Sequence, residues 1–201
     1  MKRAFDVVLA LIGLIVFALP MAVIAVLILR RDGAPVFYVA ERMKTPDRPF
    51  NLIKFRTMSN APQDRNTGVT GGDKADRITP IGHVLRRYRL DELPQLINIL
   101  RGDMSFVGPR PPLRQYTDAF PDLYRAVLRS PPGITGLATL HFYRHEERLI
   151  AQAQTAEETE AIYVGRCVPR KATLDLIYQR HASVCFDVVI LWQTVKRVLG
   201  R

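Results

Sequence analysis

An uncharged apolar segment near the N-terminus constrains this chain more than any other feature. It runs from Val7 to Leu29, VVLALIGLIVFALPMAVIAVLIL, and contains 23 residues. A helix of that length is roughly 35 Å long, and the hydrocarbon core of a bilayer is about 30 Å thick. The run is too long for a secretory signal, and a core helix that is apolar on every side would be unusual in a chain of 201 residues. We therefore expect this segment to insert into a membrane.

Two ways of inserting the segment are open. Basic residues precede and follow it, so the positive-inside rule places both ends on the cytoplasmic side. Leu19 and Pro20 lie near its middle, where a proline bends a helix because it lacks an N–H and its ring meets the preceding turn. A helix that enters, turns at Leu19-Pro20 and returns is slightly favoured over a single crossing. Residues 1–31 would form this membrane-inserted part, and residues 32–201 a cytoplasmic catalytic domain.

The charge of the chain points to an anionic partner. Lys and Arg number 29 against 19 Asp and Glu, which gives a formal net charge of +10. Such an excess fits nucleic acid, an anionic membrane surface or a phosphorylated small molecule. Cys167 and Cys185 form no CxxC pair, and the four histidines show no metal-ligand spacing. Neither a disulfide framework nor a zinc site is therefore expected, which fits a reducing, cytoplasmic setting.

The residues after position 31 predict a helix-rich α+β domain. Two β-prone runs, 34–43 and 48–58, are separated by KTPD and predict a short β-hairpin. Helical patterns follow at 81–89, 92–100, 117–130, 143–163 and 186–199, the last one amphipathic. The polar stretch 59–80 is predicted as a long loop, and loops of that length are usually functional or mobile.

Two adjacent carboxylates, Asp91 and Glu92, stand inside the basic stretch LRRYRLDELPQL. Pro94 is tolerated only in the first turn of a helix, so a helix should begin near Leu90 or Asp91. Asp91 may then be only an N-cap that the helix keeps ionised, with Glu92 a first-turn acid. Neighbouring helical side chains also diverge by about 100°, so the two acids can flank one phosphate or one magnesium ion. Both interpretations stay open at this point.

Basic side chains near the acid pair favour phosphate chemistry. Arg86 and Arg110 belong to a group of arginines around it, and the planar guanidinium is well matched to bidentate phosphate binding. Arg110 lies between two prolines, which restrict the backbone around it. Lys54 and Arg56 are spaced by two, so a strand would place them on one face.

These motifs together resemble the bacterial sugar transferase family of monotopic phosphoglycosyl transferases, which act on a polyprenyl phosphate. The matching stretches run in the family's order and cover most of the chain: KRAFDVVLALIGLIVFALP, GAPVFYVAERM, RPFNLIKFRTM, LRRYRLDELPQLINILRGDMSFVGPRP, PPGITG and SVCFDVVILWQTVKRVL. The length is similar to that of the minimal members, which contain only the membrane helix and the catalytic domain.

The resemblance implies roles for particular residues. Asp91 would be the nucleophile that forms a covalent aspartyl sugar-phosphate intermediate, Glu92 its partner, and Mg²⁺ the ion bound at these two acids. The positions that match substrate-binding motifs are Lys54, Arg56, Arg86, Pro109, Arg110 and Pro111. Three features depart from the family pattern: Arg89 replaces a small hydroxyl residue, Leu19 replaces a serine at the kink, and GLATL lacks the usual aromatic and glutamine.

The implied function is transfer of a sugar-1-phosphate from a UDP-sugar to undecaprenyl phosphate at the cytoplasmic face of the bacterial inner membrane. This would be the first membrane step of glycoconjugate or exopolysaccharide assembly. Membrane lipids are expected partners, nucleic acid is not, and a homo-oligomer stays open. The alternative is a membrane-tethered basic module that binds nucleic acid or anionic lipid without catalysis. That alternative gives no role to the acid pair or to the proline-flanked arginine. The sequence does not distinguish one sugar from another.

Overall fold

The computed structural model describes residues 1–59 and 77–200. The predicted loop at 59–80 therefore falls mostly outside the described residues. The helices are α1 (Lys2–Arg31), α2 (Pro80–Arg87), α3 (Gln95–Arg101), α4 (Arg114–Ala119), α5 (Pro121–Val127), α6 (Leu137–Ile150), α7 (Ala156–Ile162), α8 (Val168–His181) and α9 (Val184–Leu199). The strands are β1 (Phe37–Thr45), β2 (Arg48–Phe55), β3 (Ser105–Val107) and β4 (Gly133–Thr135). Two short helical turns complete the chain, a 3₁₀ turn at Leu90–Glu92 and a π-helical turn at Tyr163–Cys167. The predicted helix-rich α+β fold is confirmed.

Helix α1 is continuous through Pro20 and packs at both ends against the same domain. Near its start, Ala10 is fully buried among residues of β2 and α3. Near its end, Ile24 and Ile28 are buried against Phe55 of β2 and Leu85 of α2. Between these contacts the apolar side chains of Ile15, Val16, Phe17 and Leu19 are exposed. One face of the apolar helix therefore packs against the domain, and another face is exposed.

The start of α1 is tied to the domain by buried polar contacts. Lys2 Nζ lies 2.6 Å from Asp187 Oδ2 of α9, and Tyr178 of α8 donates its hydroxyl to the other oxygen of Asp187 at 2.6 Å. Asp6 accepts hydrogen bonds from the Ser105 hydroxyl at 3.0 Å and from the Phe106 N–H at 3.2 Å. Since Asp187 is 0% exposed and Asp6 only 3%, these contacts fix where α1 begins relative to β3, α8 and α9.

The two sheets have two strands each. β1 and β2 pair antiparallel from Phe37 opposite Phe55 to Thr45 opposite Arg48, as the predicted hairpin requires. β3 and β4 pair parallel, with Ser105 opposite Gly133, and the sequence did not predict this pair. The strands approach closely at Gly133, where a Cβ atom would lie 2.2 Å from the backbone nitrogen of Gly108. A larger residue would push the two strands apart.

Candidate active site

The two acids lie in the 3₁₀ turn between α2 and α3, and both are buried. Asp91 is 9% exposed and Glu92 6%. The residue at the cap of this turn is Arg89, in the left-handed region at φ 56° and ψ 24°, a region that costs a non-glycine residue about 1–2 kcal/mol. The α-helix itself begins only at Gln95. The predicted N-cap position of Asp91 is therefore wrong, because the chain forms a separate tight turn before the helix.

Three basic side chains hold the Glu92 carboxylate. Oε1 accepts hydrogen bonds from Lys54 Nζ at 3.0 Å and from both terminal nitrogens of Arg110 at 3.3 Å. Oε2 accepts from Arg89, at 3.2 Å from Nε and 2.9 Å from Nη2. Burial alone would raise the pKa of Glu92, but the three cations together hold it well below its usual range. Glu92 is therefore a fixed negative charge.

Asp91 lies in a different environment from its neighbour. No residue in the described ranges 1–59 and 77–200 donates a hydrogen bond to its side chain. Burial raises the pKa of Asp91 and the Glu92 charge raises it further, against the opposing charges of Lys54, Arg110 and Arg86. The sequence had predicted a carboxylate kept ionised by a helix terminus. The structure instead gives a buried carboxylate whose ionised form is disfavoured.

Three of the predicted basic residues lie near the two acids. Lys54 and Arg110 contact Glu92 directly. Arg86 is held by a hydrogen bond from Nε to the Thr57 hydroxyl at 2.9 Å and is close enough to Asp91 for the two charges to interact.

Arg56 is 5% exposed and points elsewhere. It donates to the carbonyls of Asp32, Gly33 and Ala34 at 2.7, 2.5 and 3.1 Å. Arg56 therefore clamps the segment that follows α1, and the prediction that it shares a strand face with Lys54 fails because β2 ends at Phe55.

A small cavity opens beside the Lys54 and Arg110 contacts of Glu92. Its lining residues are Arg42, Leu52, Lys54, Gln95, Arg110, Pro111 and Gly133. Pro109 precedes the lining residue Arg110 in sequence, and the Pro109 carbonyl accepts a hydrogen bond from the Gly133 N–H at 2.8 Å. The Pro-Arg-Pro segment is thereby joined to β4, which holds Arg110 over the cavity.

Sequence reasoning missed two polar residues of this lining, Arg42 and Gln95. Both left a signal in the sequence. Arg42 lies opposite Phe50 in the hairpin, and Lys54 opposite Tyr38, so the strand period of two places Arg42 on the same face as Lys54. Gln95 follows Asp91 by four positions, which is about one helical turn.

The two predicted magnesium ligands fit the ion unequally. Asp91 has carboxylate oxygens that accept no hydrogen bond from the described residues, so it suits a cation that also binds phosphate oxygens. Both oxygens of Glu92 are already bonded to cations, so Glu92 would bind a metal only by giving up one of these contacts. No group of three or more potential ligands occurs in the described part of the chain. Asp91 is therefore the residue that would hold Mg²⁺, together with oxygens of a substrate phosphate.

A family model described as bacterial sugar transferase matches residues 1–201. The chain belongs to this family. The family resemblance predicted from the sequence is thus confirmed, and it extends over the whole chain.

Curated relatives of this sugar transferase carry informative names. One is the UDP-N-acetylgalactosamine-undecaprenyl-phosphate N-acetylgalactosaminephosphotransferase of Aeromonas hydrophila, 34% identical over 98% of this chain and 43% of the relative. Another is the UDP-glucose:undecaprenyl-phosphate glucose-1-phosphate transferase of Escherichia coli strain K12, 34% identical over 97% of this chain and 39% of the relative. The exopolysaccharide production protein ExoY of Rhizobium meliloti strain 1021 is 32% identical over 98% of this chain and 84% of ExoY. The chain thus spans about two fifths of the first two relatives and most of ExoY.

Proposed function

We propose that this protein transfers a sugar-1-phosphate from a UDP-sugar to undecaprenyl phosphate at the cytoplasmic face of the membrane. The observation that supports the proposal is that two adjacent acids lie in different environments. Three cations hold Glu92, while Asp91 accepts no hydrogen bond from the described residues and lies beside a cationic cavity. One carboxylate is thus available for reaction and the other organises the charges around it.

Asp91 is the proposed nucleophile. One of its carboxylate oxygens attacks the phosphorus that carries the sugar, and the phosphorus–oxygen bond to UMP breaks with its electron pair leaving on UMP. The product is a sugar-phosphate bonded to Asp91, which a phosphate oxygen of the lipid then attacks, releasing the carboxylate. Burial raises the pKa of Asp91, and a more basic carboxylate is a better nucleophile once ionised. This division into two steps predicts ping-pong kinetics.

The surrounding cations offset the negative charge that would repel an anionic nucleophile. Lys54 and Arg110 face the cavity and are fixed in place by Glu92, so little rearrangement is needed when phosphate arrives. Arg86 is anchored at Thr57 and lies near Asp91. Magnesium held by Asp91 would supply further neutralisation of charge on the phosphate oxygens.

Two apolar surfaces support placement at a membrane. The middle of α1 exposes Ile15, Val16 and Leu19. Along α9 a stripe of exposed residues recurs with helical spacing: Val188, Val189, Trp192, Val195 and Leu199. Because both ends of α1 pack on one domain, an α1 that enters and leaves on the same side fits these contacts better than a crossing helix does.

The non-catalytic alternative explains less of the site. A basic module that binds nucleic acid or lipid needs exposed positive charge, whereas Lys54 and Glu92 form a largely buried ion pair, with side chains 17% and 7% exposed. Removing both charges from water costs free energy that their attraction does not always offset. A role in the site therefore explains such a pair better than stability does. The observation favours catalysis.

The test uses the full chain in nanodiscs and a panel of UDP-sugars without lipid acceptor. Intact mass should reveal a stoichiometric sugar-phosphate increment with the preferred donor, and peptide mapping should place it at Asp91. Asp91→Asn should form no adduct, because it keeps the shape and removes the nucleophile. Turnover without any adduct, with kinetics that require both substrates bound together, would contradict the covalent mechanism.

A further inference from the structure

More basic side chains line the cavity beside Glu92 than form ion pairs with Glu92. Arg42, Lys54 and Arg110 all line it, and Glu92 engages only the last two of these cations. Arg42 Nη1 donates a hydrogen bond to the carbonyl of its neighbour Glu41 at 2.8 Å. Its other N–H groups donate to no acceptor in the described part of the chain, so they are left for a ligand.

Arg42 and Arg110 are like charges in a confined space. Burial lowers the pKa of Arg42, and the neighbouring Arg110 charge lowers it further. Burial likewise lowers the pKa of Lys54, with Arg110 adding to the effect. An anion bound among these three side chains would offset the repulsion that Arg110 exerts on Arg42 and Lys54.

Gln95 provides a second, independent observation. It lines the same cavity, is only 2% exposed, and its Nε2 is buried without a hydrogen-bond partner in the described part of the chain. An unpaired buried N–H is unfavourable, because the group has lost its hydrogen bond to water and gained none in return. A ligand oxygen in the cavity would supply the missing acceptor.

The walls of the cavity are fixed by backbone contacts. Gly133 lies against Gly108 so closely that no side chain fits, and its N–H is bonded to the Pro109 carbonyl. Pro111 restricts the chain on the other side of Arg110. The three cations and the amide therefore surround a small preformed pocket.

We propose that Gln95 and Arg42 are further substrate-binding residues, which with Lys54 and Arg110 contact the phosphate oxygens of a ligand in this cavity. The inference rests on the proposed function and assigns a phosphate subsite within the same site. Gln95 Nε2 donates to a phosphate oxygen, while Arg42 joins Lys54 and Arg110 in offsetting the ligand's charge. Both substrates of the proposed reaction carry such a phosphate: the donor in its nucleotide, and the lipid acceptor in its phosphate group.

The experiment measures binding and needs no turnover. Isothermal titration calorimetry of the full chain in nanodiscs uses UMP and dimethylallyl phosphate as the two phosphate probes, and uridine as a probe without phosphate. Gln95→Met keeps the length of the side chain and removes the amide, so phosphate affinity should fall about tenfold or more, as expected for a hydrogen bond to a charged group. Gln95→Glu should weaken it further by adding a like charge. The matched control is Gln152→Met, an exposed glutamine far along the chain, which should bind as the wild type does.

Arg42→Gln is the second variant, because Arg42 lies on a hairpin strand that does not depend on its side chain for pairing. It should also weaken phosphate affinity about tenfold while thermal unfolding stays near that of the wild type. Loss for UMP alone assigns the cavity to the donor, and loss for dimethylallyl phosphate alone assigns it to the acceptor. Unchanged affinity for both probes in folded Gln95 and Arg42 variants overturns the inference.

The outcomes separate this inference from the proposed function. If the wild type turns over UDP-sugar and the Gln95 and Arg42 variants bind both probes normally, the inference is wrong and the proposed function stands. If these variants lose phosphate binding but the wild type turns over no UDP-sugar, the phosphate subsite stands and the proposed function is wrong.

Discussion

Lys54 Nζ lies 3.0 Å from Glu92 Oε1, and both side chains are largely removed from solvent. The pair joins β2 to the 3₁₀ turn that carries Asp91, so one contact links the hairpin to the proposed nucleophile. Burial opposes the charge on each partner, and each therefore depends on the other.

Lys54→Met should destabilise the protein and inactivate it. Removing one partner of a buried ion pair leaves an uncompensated charge, which costs about 3–5 kcal/mol of unfolding free energy. Glu92 retains two arginines, so we expect the low end of that range. Denaturant unfolding measures the effect, and UMP release should fall by at least about 100-fold on the scale of one lost electrostatic contact. Full activity in Lys54→Met would mean that the arginines alone organise Glu92.

Arg56→Met tests whether Arg56 acts on substrate or on structure. Its guanidinium contacts three backbone carbonyls of the segment after α1, and the loss of hydrogen bonds from a charged donor costs about 1.5–3 kcal/mol. We expect a lower melting temperature with KM for UDP-sugar unchanged. A raised KM with unchanged stability would restore the substrate-binding role that the sequence suggested.

The topology of α1 is tested with single cysteines at two exposed positions, Ala4 and Arg31. The background replaces the native cysteines, Cys167 with Ala because it is buried and Cys185 with Ser because it is exposed. Lys2 is avoided because its ion pair with Asp187 fixes the start of the helix. If both ends lie in the cytoplasm, an impermeant thiol reagent should label neither cysteine in intact cells and both after lysis.

Labelling of Ala4→Cys alone in intact cells would establish a crossing helix instead. The contacts argue for the first outcome. Helix α1 packs against the same domain near its start, at Ala10, and near its end, at Ile28. If α1 crossed the bilayer, its two ends would lie on opposite sides and could not both make these contacts.

Periodicity and residue chemistry predicted the parts of the fold that local sequence controls. The hairpin followed from alternating β-prone residues around KTPD, and α1 from its uncharged run. β3 and β4 were missed because strands of three residues have no measurable period, and their pairing depends on the close approach at Gly133. Such contacts are set by tertiary packing.

The same limit applies to the candidate site. The acid pair and Arg110 stood out because their residue types and neighbours were unusual in the sequence. The unlike environments of Asp91 and Glu92 could not be read there, because burial and the approach of Lys54 from another element decide them. Arg56 was misplaced for a related reason, since strand alternation holds only while the strand continues.

Asp91→Asn should make the folded protein more stable near neutral pH while abolishing adduct formation. Burial raises the folded-state pKa of Asp91 above its ordinary value of 3.8, so the folded state holds this proton more tightly than the unfolded state does. Stability is therefore lost as pH rises from 3.8 through the raised pKa, and asparagine, which never ionises, avoids that loss. Thermal unfolding at about pH 7 should give the variant a higher melting temperature, with the difference shrinking as the pH falls toward 3.8. Glu92→Gln is the matched comparison and should be destabilised, because its carboxylate is stabilised by three cations and has a lowered pKa. If Asp91→Asn were less stable than the wild type near neutral pH, Asp91 would be a stabilising member of the charge network, and a buried carboxylate kept for reaction would no longer explain the site.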